Sequence, residues 1–280
     1  MKRLFSTLYL VLFFTTVAVS QDDDSLLDLL DEDEPTQEFA TAGFKTTRII
    51  NGHSFEMNGH GVMDFKISHR FGYVSGALQE MFGLDQANIR IGLDYGVTDW
   101  LNVGLGRTNV GKFYDGFAKV RLLRQQSGEK NIPIHILWVS DVAITSLPEK
   151  RLLADQGLTG AFKEYPFSNR LYFTNQIIVG RKFSEGFSIQ LMPTMVHRNY
   201  VHTNKASNDV FAIGAGGRAK LTKRVAINLE YYYVLPEQLD PAVNYKNSLS
   251  VGFDIETGGH VFQLHFTNSR GMVCLLYTSQ

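Results

Sequence analysis

Apolar and polar residues alternate along most of the chain, from about residue 61 almost to its end. The clearest example is the segment NIRIGLDYG at 88–96. A period of two places successive side chains on opposite faces of a β-strand. The pattern predicts eleven antiparallel strands, at 61–70, 88–96, 101–106, 114–123, 132–143, 170–180, 187–191, 211–217, 225–233, 248–256 and 262–267.

Two features favour a membrane-spanning barrel over a soluble sheet with one wet face. The apolar face is almost free of charge, as lipid contact requires, while the opposite face carries charged residues in mid-strand. The connections also alternate, being mostly tight near 98–99, 125–131, 182–185, 221–224 and 257–259 and mostly longer near 71–87, 109–113, 144–169, 198–208 and 236–245. We therefore predict an all-β fold, an antiparallel up-and-down transmembrane β-barrel with its tight turns in the periplasm and its long loops outside.

The strand count raises a question about closure, because single-chain bacterial barrels have even numbers of strands. We expect a barrel domain at 44–272 of about twelve strands with the last one missing. Residues 273–280 (VCLLYTSQ) show no alternation, and we expect them to be a foreign or truncated tail. The alternative is that residues 44–52 supply the closing strand, although their polar run KTTR argues against it.

The N-terminus has the composition of an export signal. Lys2 and Arg3 precede an apolar run, and small residues at 18–20 fit a cleavage site before Gln21, so residues 1–20 are predicted to be a signal peptide. Residues 21–43 form a segment rich in acidic residues that we expect to be disordered. A solvated tail is the favoured interpretation, and docking to a periplasmic partner is the alternative.

Charge and cysteine content exclude some function classes. The net charge of −1 argues against a nucleic-acid binder, which usually shows a basic excess. Cys274 is the only cysteine, so a disulfide framework or a Cys-based metal site is excluded. The eight histidines show no metal-site spacing. The sequence therefore predicts no cofactor.

The charged face of the strands provides the candidate functional residues. In a barrel these side chains line the lumen, where they would either pack into a closed interior or border an aqueous path. The N-terminal segment is a further candidate to plug the lumen. The predicted lumen-lining residues are Asp64, Lys66, Arg90, Asp94, Lys119, Arg121, Glu230, Asp254, Glu256 and His265.

Catalysis receives little support from the sequence. His265 and Ser269 are available for a lipid-hydrolysing site, but His265 alternates onto the lumen face and no G-x-S-x-G motif occurs. The glycine-rich stretches near residues 104–106 and 215–217 lack the lysine of a phosphate-binding loop. We expect that the protein is not an enzyme.

Long segments of the chain resemble one family of β-barrel proteins from Gram-negative bacteria, called domain of unknown function 5777. The segments are FKTTRIINGHSFEMNGHGVMDFKISHRFG (44–72), LDQANIRIGLDYGVTDWLNVGLGR (84–107), RKFSEGFSIQLMPTMVHRNYV (181–201), KLTKRVAINLEYYYVLP (220–236) and YKNSLSVGFDIETGGHVFQLHFTNSRGM (245–272). The resemblance covers about residues 40–272. It implies an outer-membrane barrel with one further strand, and it carries no functional residue to this chain.

Two functions from different classes follow as hypotheses. The charged lumen favours passive passage of small polar solutes through a barrel embedded in outer-membrane lipid. The alternative is a non-conducting structural or partner-binding barrel that uses its loops or its acidic N-terminus. A lipid enzyme is a weaker alternative.

Overall fold

A computed structural model describes residues 37–72, 74–155, 166–201, 205–242, 245–258, 260–269, 271–272 and 278–279. The predicted signal peptide, most of the acidic segment and most of the predicted foreign tail lie outside the described residues. Residues 37–43, which we assigned to the acidic segment, are described, and Glu38–Phe39 form a short strand.

The described residues form one large antiparallel sheet and a two-stranded sheet. The strands are β1 (Glu38–Phe39), β2 (Met63–Arg70), β3 (Asn88–Thr98), β4 (Leu101–Thr108), β5 (Phe113–Leu123), β6 (Gln126–Ser127), β7 (His135–Thr145), β8 (Leu171–Ser184), β9 (Phe187–Arg198), β10 (Asp209–Lys220), β11 (Val225–Val234), β12 (Lys246–Thr257), β13 (His260–Thr267) and β14 (Thr278–Ser279). All eleven predicted strands are confirmed, while β1, β6 and β14 were not predicted.

Each long strand pairs with its neighbour along the chain, in the order β13-β12-β11-β10-β9-β8-β7-β5-β4-β3-β2. This is the up-and-down topology that the sequence predicts. The tight links, such as 99–100 and 185–186, lie at one end of the strands, which we call the tight-turn end. The opposite, long-loop end carries helix α1 (Glu149–Asp155) and the 3₁₀ segments Val74–Gln86, Val110–Lys112 and Phe167–Arg170.

The strands alternate between a buried and an exposed face. On β3, Arg90 and Asp94 are buried, whereas Ile91 and Leu93 are exposed. Apolar side chains facing outward along a sheet are those expected to contact lipid. Among the described residues, no helix is both long enough and apolar enough to cross a membrane.

The sheet is not closed within the described residues, because β2 and β13 do not pair with each other. They run in the same direction, because an odd number of strands lies between them and each strand is antiparallel to its neighbours. Arg70 on β2 donates to the carbonyl of Ser269 at 2.8 Å and to that of Gly271, so one side chain spans the seam at the long-loop end.

Residues 44–52 do not supply a closing strand. They form part of a hairpin on the concave side of the sheet, which we call the lumen. The buried apolar cluster combines Phe44, Ile49, Ile50 and Phe55 of this segment with wall residues that include Leu137 and Ile178. The core of the domain therefore lies inside the curved sheet.

Candidate functional site: the lumen and its hairpin

Residues 43–58, which we call the lumenal hairpin, fold back on themselves inside the sheet. Arg48 and His53 form a bridge, Ile49 N–H donates to Gly52 O at 2.9 Å, and Ser54 N–H donates to Thr47 O at 3.1 Å. Asn-Gly pairs favour tight turns, and Asn51-Gly52 lies at the tip. Only a few backbone groups pair within the hairpin, so its other polar groups need partners from the wall.

Glu230 on β11 holds the tip. The main-chain N–H groups of Ile50, Asn51 and Gly52 donate to its carboxylate at 3.2, 3.1 and 2.9 Å. Glu230 is only 1 % exposed, and a buried carboxylate requires such charge-assisted hydrogen bonds to offset the loss of hydration. The tip therefore satisfies a buried charge of the wall.

Asn51 adds two side-chain contacts at the tip. Its Nδ2 donates to Ser250 Oγ on β12 at 3.0 Å, and its Oδ1 accepts from Arg70 Nη2 on β2 at 2.7 Å. Because Arg70 also spans the seam, the tip is connected to the two edges of the sheet that do not pair.

Gln190 on β9 binds the returning arm of the hairpin in the manner of a neighbouring strand. Its Oε1 accepts from Phe55 N–H at 3.0 Å, and its Nε2 donates to His53 O at 2.7 Å. Lys119 on β5 donates to the carbonyls of Thr47 at 3.3 Å and of Glu56. These two buried side chains therefore recognise the main chain of the hairpin.

The base of the hairpin is held by ionic and hydroxyl groups near the seam. Thr47 Oγ1 donates to Asp94 Oδ2 at 3.1 Å and accepts from Lys66, which also pairs with Asp94. Thr46 Oγ1 accepts from Gln263 of β13 at 3.3 Å. Two adjacent threonines of the hairpin thus contact both edge strands.

Both ends of the hairpin leave through the tight-turn end. On the entry side, β1 pairs with β6 through Glu38↔Ser127, and Lys182 donates to Thr41 O at 2.9 Å. On the exit side, Gly61 N–H donates to Gly96 O at 2.8 Å, beside the β3–β4 turn. The hairpin therefore enters and leaves the lumen by the same mouth, without threading through the sheet.

Aromatic packing fixes the returning arm. Phe55 stacks on His135 of β7 at 4.4 Å between ring centroids and meets Phe44 edge to face at 5.0 Å. Gly180 of β8 makes room for it, because a Cβ at that position would lie 2.2 Å from the Phe55 ring. Gly52 is restricted likewise by Tyr232, whose hydroxyl would lie 2.0 Å from an added Cβ.

His53 is buried in the hairpin and neutral. Burial, together with the positive charges of Arg48 and Lys119, holds the pKa of His53 well below its usual value. Its ring packs edge to face against Phe117 of β5 at 4.6 Å between centroids. The environment of this ring is therefore suited only to the uncharged imidazole.

The structure brings five of the predicted lumen residues into contact with the hairpin: Lys66, Asp94, Lys119, Glu230 and Glu256, the last through Lys45 Nζ at 2.8 Å. Arg90 lies on the same face but pairs with Asp115 of β5. Asp254 lies on the same face and bonds to the wall residues Gln263 and Arg218.

Three further predicted residues lie at the margins of the site. Arg121 is at the tight-turn end, where it donates to Asp99 O at 2.9 Å. Asp64 on β2 is partly exposed and lies 3.9 Å from Lys66. His265 on β13 is partly buried, with its ring against Gly252. These three side chains have no hydrogen bond or ion pair to the hairpin among the contacts of the described residues.

Sequence reasoning missed Gln190, Asp115 and the hairpin residue Asn51. Gln190 and Asp115 do occupy the polar face of their strands, so their positions in the alternating pattern were available. For Asn51 the Asn-Gly turn was the available signal. In the described part of the chain, no group of three or more His, Cys, Asp or Glu residues is arranged to hold a metal ion.

Comparison with known proteins agrees with this architecture. A search of curated proteins finds no match. The family model described as "Membrane bound beta barrel domain (DUF5777)" matches residues 44–280, which include both the lumenal hairpin and the wall. The chain therefore belongs to this family of membrane-bound β-barrel domains.

Proposed function

We propose that the protein is an outer-membrane barrel for passive passage of small polar solutes, closed at rest by the lumenal hairpin. One observation carries the proposal: the wall binds the hairpin through polar and charged side chains, including Glu230, Gln190 and Lys119. Without the hairpin, these groups would border a polar, hydrated space of the kind that solutes cross.

The route of the hairpin would allow it to leave the lumen as one unit. Both of its ends emerge at the tight-turn end, so it can leave the lumen without breaking any pairing between the long strands. Its own backbone pairing is sparse, and segments with few internal bonds open at lower free energy than a paired sheet. The wall would keep its shape while the path changes.

The proposal includes location and partners. Residues 1–20 would direct export, the tight-turn end would face the periplasm, and the exposed apolar face would contact outer-membrane lipid. A periplasmic partner that binds the acidic segment next to β1 could pull on the hairpin. The activity is passage without catalysis.

The packing of the hairpin in the lumen also supports a second candidate function, a non-conducting structural or partner-binding barrel. The groups that fill the lumen are buried and bonded, as in a packed interior: Asp94, Lys119 and Glu230 are each 1 % exposed. In that case the hairpin would be a permanent core, and any activity would belong to the loops or the N-terminus.

Planar-bilayer recordings distinguish the two functions. The test compares the full chain with a variant in which a short Gly-Ser linker replaces residues 44–57. If solutes pass through the lumen and the hairpin closes it at rest, the full chain should open rarely and the variant should conduct continuously. A correctly folded, heat-modifiable variant that never conducts would exclude the solute path, and a constantly open full chain would exclude closure by the hairpin.

A cross-link provides a matched control. The side chains of Asn51 and Ser250 meet at 3.0 Å, so cysteines at these two positions, with Cys274→Ser, should lock the hairpin to the wall. We expect no openings under oxidising conditions and recovery on reduction. Openings that persist with the disulfide formed would show that solutes take another path.

A further inference from the structure

Three wall side chains bind the hairpin through main-chain atoms that every peptide possesses. Glu230 accepts from three consecutive N–H groups, Gln190 binds one N–H and one C=O, and Lys119 donates to two C=O groups. None of these contacts uses a side chain of the hairpin. The wall therefore recognises peptide backbone at the position that a solute would occupy.

The contact at Gln190 has the geometry of strand pairing. It joins the C=O of His53 to the N–H of Phe55, two residues later along the same arm. In an extended peptide these two groups point to the same side, and a parallel neighbouring strand pairs with the same two groups. The side-chain amide of Gln190 thus makes the two hydrogen bonds that a parallel neighbouring strand would make to an extended peptide segment.

The three side chains are buried, and their hydrogen-bonding groups are matched to peptide groups. With the hairpin seated, Glu230, Gln190 and Lys119 are each 1 % exposed. The carboxylate provides acceptors for N–H groups, the ammonium provides donors for carbonyls, and the amide provides one of each. A sugar offers hydroxyl groups in other positions and lacks the alternating N–H and C=O pattern.

From this arrangement we infer that the lumen has a binding site for short peptides, which the hairpin occupies as an intramolecular substitute. The inference rests on the proposed passage function and names its solute class. A short peptide would bind with one extended residue paired with Gln190, with carbonyls on Lys119 and, where its chain turns, with consecutive N–H groups on Glu230. The hairpin and the peptide would compete for the same three side chains.

The test uses the variant with the Gly-Ser linker in planar bilayers, with trialanine and maltotriose as probes. We expect trialanine to interrupt the current for periods about tenfold longer than maltotriose does, a factor that corresponds to about 1.4 kcal/mol. Gln190→Leu in this background should shorten the trialanine interruptions about tenfold.

Gln176 provides the matched control on the neighbouring strand. It is buried to the same degree as Gln190, but its Nε2 donates to the wall residues Thr194 at 2.8 Å and Tyr232 at 3.2 Å. Gln176→Leu should leave the trialanine interruptions unchanged. Equal interruptions for the two probes, or equal effects of the two leucine variants, would overturn the inference.

The inference and the proposed function can fail separately. If the folded variant does not conduct, passage is excluded, and titration calorimetry in detergent with trialanine still decides whether the peptide site exists. Binding that Gln190→Leu weakens and Gln176→Leu does not would support the site. If the variant conducts but both probes behave alike, passage stands and the peptide site is excluded.

Discussion

The carboxylate of Glu230 lies 2.9 Å from the main-chain nitrogen of Gly52, although 178 positions separate the two residues in the chain. Ile50 and Asn51 add two further N–H donors to the same carboxylate. A buried carboxylate without these donors would lose most of its compensation for dehydration. The environment of Glu230 therefore depends on the seated hairpin.

Removing the charge at this position should release the hairpin. Glu230→Gln keeps the size of the side chain but places an amide NH₂ against N–H donors. We expect a loss of roughly 2–3 kcal/mol in hairpin binding, since hydrogen bonds to a charged group are worth about 1.5–3 kcal/mol. The measurement is open probability in planar bilayers, which should rise by about two orders of magnitude.

Asp254→Asn is the control for that experiment. Asp254 is buried to the same degree, but its carboxylate bonds to Gln263 at 2.8 Å and lies 3.5 Å from Arg218 Nε, both wall residues. The control should change open probability much less. Equal effects of the two substitutions would mean that any lumen charge, and not the tip contact, holds the barrel closed.

Substitution of Gly180 in the wall should disturb the hairpin as strongly as substitution of a charged residue. Gly180→Val would place side-chain atoms where the Phe55 ring now lies, since even a Cβ would come within 2.2 Å of it. The rigid ring has to move away, so we expect exposure of Phe55 and a higher open probability. Accessibility of a cysteine at position 54, which is buried beside Phe55, to a water-soluble maleimide in a Cys274→Ser background measures the displacement.

Gly217→Val is the matched control for this prediction. Gly217 is on the outward face of β10, and the nearest heavy atom to an added Cβ, the Ser188 carbonyl oxygen, is at an ordinary contact distance of 3.7 Å. The valine there should leave labelling and conductance unchanged. Equal labelling in the two variants would show that Phe55 does not depend on the space at Gly180.

The ion pair between Lys45 and Glu256 should contribute little. The two atoms are 2.8 Å apart, but the side chains are 32 % and 27 % exposed, and exposed pairs are typically worth 0.2–1 kcal/mol. Lys45→Met should therefore change open probability by about fivefold at most, and less at high salt. A change as large as that of Glu230→Gln would contradict the dominance of the tip contact.

The wall could be predicted from the sequence because its signal is local. Each strand shows its two faces within about ten residues, so segments such as 88–96 and 225–233 identified β3 and β11 without knowledge of their partners. The two-residue strands β1 and β6 are too short for any periodicity. They exist because residue 39 pairs with residue 126, a contact between distant parts of the chain.

The lumenal hairpin could not be derived in the same way. Its polar run at 45–48 argues against a lipid-facing strand, and this reasoning was correct, but it does not show where those polar groups find partners. Thr47 is satisfied by Asp94 and Lys66, which belong to two other strands. Such pairing depends on how the sheet curves, and local pattern carries no information about curvature.

Acid should favour release of the hairpin through His53. The seated state depresses the pKa of His53, because the ring is buried and faces the positive charges of Arg48, Lys119, Lys66 and Arg90. In the released state the imidazole regains its ordinary pKa of about 6.5 and takes up a proton that the seated state excludes. Proton uptake on release means that the closed state loses stability as pH falls below about 6.5, by at most ~1.4 kcal/mol per pH unit.

The corresponding measurement is the open probability between pH 7.5 and pH 5. The full chain should change little above pH 7 and then rise by up to about tenfold per pH unit between pH 6 and pH 5. His53→Gln removes the titrating group while keeping a neutral polar side chain, so its profile should be flat over the same interval. Matching slopes in the two proteins would show that a titratable group other than His53 causes the acid response.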